Sequence, residues 1–105
     1  MAAKKILERD IEAKVVKWAK AKGVHVKKKH WADTLDRWFF GNRGKLVIIE
    51  FKVPGKRPTP LQQQEINSLR NRGFHAVWSD DANLAIEFLE GRPVFIDQSG
   101  KLSSI

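Results

Sequence analysis

Along the first part of the chain, Ile11, Val15, Trp18 and Ala19 recur at helical spacing, and Gly23 follows as a stop, which predicts a helix over residues 4–22. The period then changes. Residues 24–27 alternate apolar and polar, as a short strand does, and residues 36–40 are aromatic and strand-like. Residues 46–52 are apolar on both faces, which predicts a central strand, and residues 41–45 read as the turn before it. Pro54-Gly55-Lys56-Arg57-Pro58 is an extended cationic loop. Thr59 as N-cap and Pro60 at the first helical position then start a second helix, which Gly73 ends. Residues 74–79 form another apolar strand, and Asp80 or Asp81 caps a third helix running to about Glu90. Residues 93–97 and 102–105 flank Gln98-Ser99-Gly100-Lys101 as a terminal hairpin.

The order is helix, two or three strands, helix, strand, helix. It predicts an α/β sandwich with a mixed sheet, in which the second helix is a crossover between parallel strands. A chain of 105 residues can bury one core, so a single domain over residues 1–105 is expected. With 42% apolar and 30% charged residues, the composition is that of a globular chain rather than a disordered one. No apolar run reaches the roughly 18 residues that a membrane span needs, and Met1-Ala2-Ala3-Lys4-Lys5 lacks the apolar stretch of a secretory signal. The absence of cysteine excludes a disulfide framework and a thiolate metal site, and suits a reducing cytoplasm.

Charge sharpens this picture because it is uneven. Residues 1–57 carry 16 of the 20 Lys and Arg but 6 of the 12 acids, a net +10, whereas residues 58–105 carry 4 and 6, a net −2. One electropositive face would attract a phosphate backbone. A solvated, solubilising surface is the plainer alternative. An anionic membrane surface fits less well, since the first helix has no broad apolar face to insert.

Candidate chemistry lies in the middle hairpin. With residues 41–45 as a five-residue loop, position 40 faces 46, 38 faces 48 and 36 faces 50. Asp36 and Glu50 then oppose each other on one face, and Lys52 joins them two residues along the strand. Phe39, Ile49 and Phe51 point the other way, into a core. Opposed carboxylates repel, so a fold that keeps them calls for a raised pKa or a cation between them. Two acidic oxygens with backbone carbonyls and water suit Mg2+, and a neighbouring lysine can orient water or stabilise charge on a phosphate under attack. By itself Glu-x-Lys is a common same-face ion pair; the register with Asp36 and the apolar run before Glu50 strengthen the functional alternative.

Two further residues border this face. Glu12 lies on the first helix beside its apolar stripe, either as a site acid or as a surface carboxylate paired with Arg9. Gln62 lines up with Ile66 and Leu69 toward the sheet, yet Thr59-Pro60-Leu61-Gln62 also matches a capping box.

The segments Asp36-Arg37-Trp38-Phe39-Phe40 and Ile49-Glu50-Phe51-Lys52, and the run from Pro54 to Gln62, resemble the VRR-NUC family of the PD-(D/E)xK nuclease superfamily, over about residues 8–90. The resemblance implies a restriction-endonuclease-like core, dependence on Mg2+ or Mn2+, Asp36 and Glu50 as metal ligands and Lys52 as the catalytic lysine. Glu12 would be the helix acid completing the site, and Gln62 the glutamine opening the following helix. Small stand-alone members occur in phages, some acting as homodimers on branched DNA such as Holliday junctions; the implied setting is the cytoplasm of a bacterium or a phage-infected cell. One departure stands out: where the family has Gly-x-Pro before the aspartate, this chain has Asp33-Thr34-Leu35, which leaves the turn less constrained.

Lys27, Lys28, Lys29 and His30 precede the site and Lys56 and Arg57 follow it, a distribution suited to gripping backbone phosphates on either side of a cleaved bond. His25, His30 and His75 have no metal-ligand spacing. Trp31 could stack on an unpaired base or serve packing. Four tryptophans exceed what one small core needs, and cutting two strands needs two copies, so a symmetric dimer is expected. The competing class is a non-catalytic nucleic-acid-binding module, for which acids in a basic cleft would be a liability. No base-reading element is evident, so recognition by shape and backbone is expected.

Overall fold

The computed structural model describes residues 6–28 and 37–105. Helix α1 (Glu8–Ala21) starts where Asp10 accepts a hydrogen bond from the Leu7 N–H at 3.3 Å, so Ile6 and Leu7 lie outside the helix predicted from residue 4. It ends at Gly23, whose φ of +78° is left-handed, and the Val24 N–H closes back on the Ala19 carbonyl at 2.9 Å. That closure uses the Val24 donor, and strand β1 (His25–Lys28) accordingly begins one residue later than its alternation suggested.

Strands β2 (Arg37–Phe40) and β3 (Leu46–Phe51) form the predicted hairpin across a 3-10 turn at Asn42–Gly44. Their register pairs Phe40 with Leu46 and Trp38 with Ile48, as the five-residue loop requires. Helix α2 (Pro60–Asn71) crosses over to β4 (His75–Ser79), which runs parallel to β3. Helix α3 (Ala82–Leu89) follows, capped by Asp81, whose carboxylate accepts from the Leu84 N–H at 3.0 Å. Short strands β5 (Phe95–Ile96) and β6 (Leu102–Ser103) make the terminal hairpin.

The main sheet has the order β1-β2-β3-β4, with β1 antiparallel to β2, β2 to β3, and β3 parallel to β4. It is a mixed sheet flanked by helices, as predicted. One face packs Phe39, Val47, Ile49, Phe51 and Val77 against Ile11, Val15 and Ala19 of α1 and Ala85 of α3. The other packs Ile48, Ala76 and Trp78 against Ile66 of α2. Burying each such large aliphatic or aromatic side chain contributes about 1.5–3 kcal/mol, and the two-sided burial of β3 is why its residues alternate between two cores rather than between core and water. Among the described residues no helix is long and apolar enough to cross a membrane.

Candidate active site

Five of the six residues of β3 are buried, and the fifth in the chain direction is Glu50, with no exposed surface. By alternation it shares a face with Ile48, on the α2 side; its Cα partner across the parallel ladder is Trp78. Lys52 lies just past the strand, yet its N–H still donates to the Ser79 carbonyl at 3.0 Å, so the ladder fixes its backbone. Its ammonium sits 3.6 Å from Glu50 Oε1, and the lysine side chain is 13% exposed. At that length the contact is an ion pair rather than a direct hydrogen bond. A carboxylate buried to this degree costs several kcal/mol to desolvate without a cation near it. Lys52 supplies one such charge.

The opposition of Asp36 to Glu50 lies outside the described residues, as does Lys29. The observed pairs Arg37–Ile49, Trp38–Ile48, Phe39–Val47 and Phe40–Leu46 belong to the register from which that opposition was predicted. Among the described residues no group of three or more acidic, histidine or cysteine side chains could hold a metal ion. Glu50 suits a hard divalent cation as one oxygen ligand, and a two-carboxylate centre needs Asp36 as well.

Gln62 is committed to the start of α2. Its Oε1 accepts from the Thr59 N–H at 2.9 Å, while the Thr59 hydroxyl accepts from the Gln62 N–H at 3.2 Å. This is the capping box seen in the sequence, and it orients the glutamine through its oxygen.

Glu12 is not the surface carboxylate paired with Arg9 that helix spacing allowed. Its carboxylate is buried against the sheet and accepts from Arg37 Nε, not from Arg9. Arg37 has the strand parity of Phe39, which packs with α1, so Glu12 and Glu50 approach the sheet from opposite faces. Sequence periodicity could not find this partner, because Arg37 is 25 residues away and reaches Glu12 only once α1 lies across β2.

The basic residues gather at the same end of the sheet. Lys27 and Lys28 are exposed on the edge strand β1, where their Cα partners are Trp38 and Arg37, at the end of β2 that lies beside the C-terminal part of β3. Lys56 and Arg57 are exposed in the loop leaving β3. They line a cleft of about 400 Å3 together with Gly55, Trp78, Asp80, Asp97, Ser99 and Lys101. The sequence pointed to Lys56 and Arg57 but not to Lys101, which enters from the terminal hairpin. His25 packs its ring 5.8 Å from that of Phe40, and His75 is exposed, in keeping with their lack of metal-ligand spacing.

No sequence-family model matches the chain, and no curated protein matches it. Among solved structures, one described as a VRR_NUC domain superposes with a TM-score of 0.71 at 21% sequence identity, covering 79% of this chain and 94% of its own. The chain therefore has the VRR_NUC, restriction-endonuclease-like fold, the architecture that the hairpin and the Glu50-to-Gln62 run implied.

Proposed function

We propose that this chain, with its VRR_NUC fold, is a divalent-metal-dependent DNA endonuclease of the VRR-NUC family. The observation that carries the proposal is the buried Glu50 carboxylate with the Lys52 ammonium 3.6 Å away at the end of the central strand. An acid–lysine pair at a sheet end ringed by Lys27, Lys28, Lys56 and Arg57 suits an anionic polymer whose reacting group is a phosphate.

Glu50, with Asp36 as its partner from the sequence register, would hold Mg2+ or Mn2+. The ion, when bound, supplies a Lewis acid and an acidified water for hydrolysis of the phosphodiester bond. Lys52 would orient a water or neutralise charge growing on the phosphate. Gln62, held by its oxygen in the capping box at the start of α2, would have its amide nitrogen left as a donor toward water or phosphate. For Glu12, service as a further ligand requires release of Arg37, and Mg2+ titration of cleavage by Glu12→Gln measures whether it serves. The basic residues grip phosphates on both sides of the scissile bond, giving recognition by backbone and shape, with branched DNA such as a Holliday junction as the favoured substrate. A homodimer would supply the second centre for the second strand.

The test is cleavage of linear, nicked and four-way-junction DNA with Mg2+, Mn2+ or EDTA, with Lys52→Ala and Asp36→Ala as controls. Metal-dependent cleavage by the wild type, lost in both variants, supports the assignment. Cleavage that survives EDTA or both substitutions overturns the mechanism. DNA binding without cleavage under any condition makes the chain a binding module instead. Light scattering at micromolar concentration decides the dimer.

A further inference from the structure

The cleft beside the Glu50–Lys52 centre joins two stretches of chain far apart in sequence. Lys56 and Arg57 come from the loop after β3, whereas Ser99 and Lys101 come from the turn between β5 and β6. Trp78 lines it between them and is the Cα partner of Glu50, so the cleft opens one strand away from the candidate catalytic carboxylate. Only 4% exposed, Trp78 is a wall and not a stacking platform.

The turn carrying Lys101 is pinned before any ligand arrives. The Trp78 N–H donates to the Gly100 carbonyl at 2.9 Å, and Trp78 Nε1 donates to the Ser99 hydroxyl at 3.2 Å. From α2, Gln63 Nε2 donates to the Ser99 carbonyl at 2.8 Å. Gly100 sits at φ +87°, where an added Cβ would come within 3.0 Å of Ile66 and Arg70 side chains, so glycine alone fits this approach. Of the two acids in the cleft, Asp97 is consumed by the turn: its Oδ1 accepts from the Ser99 N–H, the Ser99 hydroxyl and the Lys101 N–H. Asp80 makes the direct ion pair with the Lys101 ammonium, at 3.3 Å, while that ammonium also stands 5.2 Å from the Trp78 ring. The lysine side chain keeps 35% of its surface exposed.

We infer that this cleft is a backbone-phosphate subsite for the DNA strand entering the Glu50–Lys52 centre, with Lys101 exchanging Asp80 for a phosphodiester oxygen. The inference rests on the nuclease assignment and adds to it a cation from the C-terminal hairpin, beyond the part of the sequence that resembles VRR-NUC. Three cations against two carboxylates, Asp80 and the turn-bound Asp97, leave the cleft with an excess of positive charge, which an incoming phosphate balances. Asp80 holds Lys101 poised and lowers affinity for DNA by competing with it.

The experiment is equilibrium binding of a labelled four-way-junction DNA by the full chain in EDTA, across a salt series. The proteins are the wild type, Lys101→Ala, Lys101→Arg and Asp80→Asn. Loss of one phosphate contact reduces the steepness of log K against log salt by about 0.9. Lys101→Ala is expected to show that reduction, Lys101→Arg to retain the wild-type slope, and Asp80→Asn to bind several-fold more tightly. The gain on Asp80→Asn has the opposite sign to anything partial unfolding of the hairpin would cause. An unchanged slope for Lys101→Ala, or no tightening for Asp80→Asn, overturns the subsite. Cleavage of the same junction in Mg2+ is measured alongside. The expected slope change without wild-type cleavage keeps the subsite and removes the nuclease; cleavage with an unchanged slope removes only the subsite.

Discussion

Lys52 holds its ammonium 3.6 Å from a Glu50 carboxylate that has no exposed surface, while the lysine keeps 13% of its own side chain in contact with solvent. The pair thus spans the boundary between the core and the open end of the sheet. A strand as apolar as β3 would pack more favourably with a neutral residue at position 50, so the buried acid is a stability cost that chemistry can explain.

Replacing Lys52 with Ala is expected to lower cleavage by about 10²–10³-fold, the usual effect of removing one preorganised charge from a transition state. DNA binding should change little, because Lys27, Lys28, Lys56, Arg57 and Lys101 stay in place. Single-turnover cleavage beside binding in EDTA separates the two; equal losses in both would reduce Lys52 to a binding residue.

Replacing both members of the pair, Glu50→Gln together with Lys52→Met, is expected to abolish cleavage and yet stabilise the metal-free protein, because the buried charges are gone together while the shape is kept. A gain of about 1 kcal/mol corresponds to a rise of roughly 4–8 °C in a domain near this size. Thermal melts in EDTA and in Mg2+ check it: the wild type should gain stability from Mg2+ and the variant should not. A variant that melts below the wild type in EDTA would mean that the Glu50–Lys52 pair is structural.

Thr59→Ala removes the hydroxyl that accepts from the Gln62 N–H and should cost about 0.5–2 kcal/mol. Gln62→Glu keeps an oxygen to accept from the Thr59 N–H, and a carboxylate is favoured at a helix N-terminus, so stability should hold or rise. Cleavage should nevertheless fall, since the amide donor is lost next to a phosphate. If Gln62→Glu cleaves at the wild-type rate, the glutamine is a cap and nothing more.

Glu12 and Arg37 form a partly buried pair, with side chains 11% and 24% exposed. Glu12→Gln and Arg37→Ala should each destabilise the fold by about 1–3 kcal/mol, and the double variant should lose little more than the worse single one. Denaturant titrations of all four proteins close that cycle; additive losses would show that the two residues act apart.

Asp97 gives the terminal turn a pH dependence. Burial raises its pKa, but hydrogen bonds from the Ser99 hydroxyl and from the Lys101 and Ser99 N–H groups, with the Lys101 charge, outweigh that and hold it below its ordinary value. A carboxylate lowered in the folded state contributes stability that is present above its unfolded pKa and lost as pH falls through the folded one. Asp97→Asn should therefore melt lower than the wild type at neutral pH and lose less of its stability on acidification. Parallel slopes in a melting series from neutral pH into the acid range would contradict this.

The sequence by itself determined the elements and their order, because periodicity, caps and turn residues act over a few positions. Gly23 ended α1, the Thr59–Gln62 box opened α2, and the length of the 41–45 loop set the β2–β3 register. It also singled out Glu50 and Lys52, since a charge at the end of an apolar run is conspicuous and residues two apart in a strand must share a face. Tertiary structure alone decided which distant groups meet. Glu12 finds Arg37 only when α1 packs across β2, and Lys101 reaches the cleft only because the terminal hairpin docks along β4 at Trp78. Both contacts depend on how separate elements close on one another, which is governed by the summed packing of two cores and leaves no mark at any single position in the chain. The Glu50–Lys52 pair was local enough to read directly; its depth of burial, and the cleft that opens beside it, came with the fold.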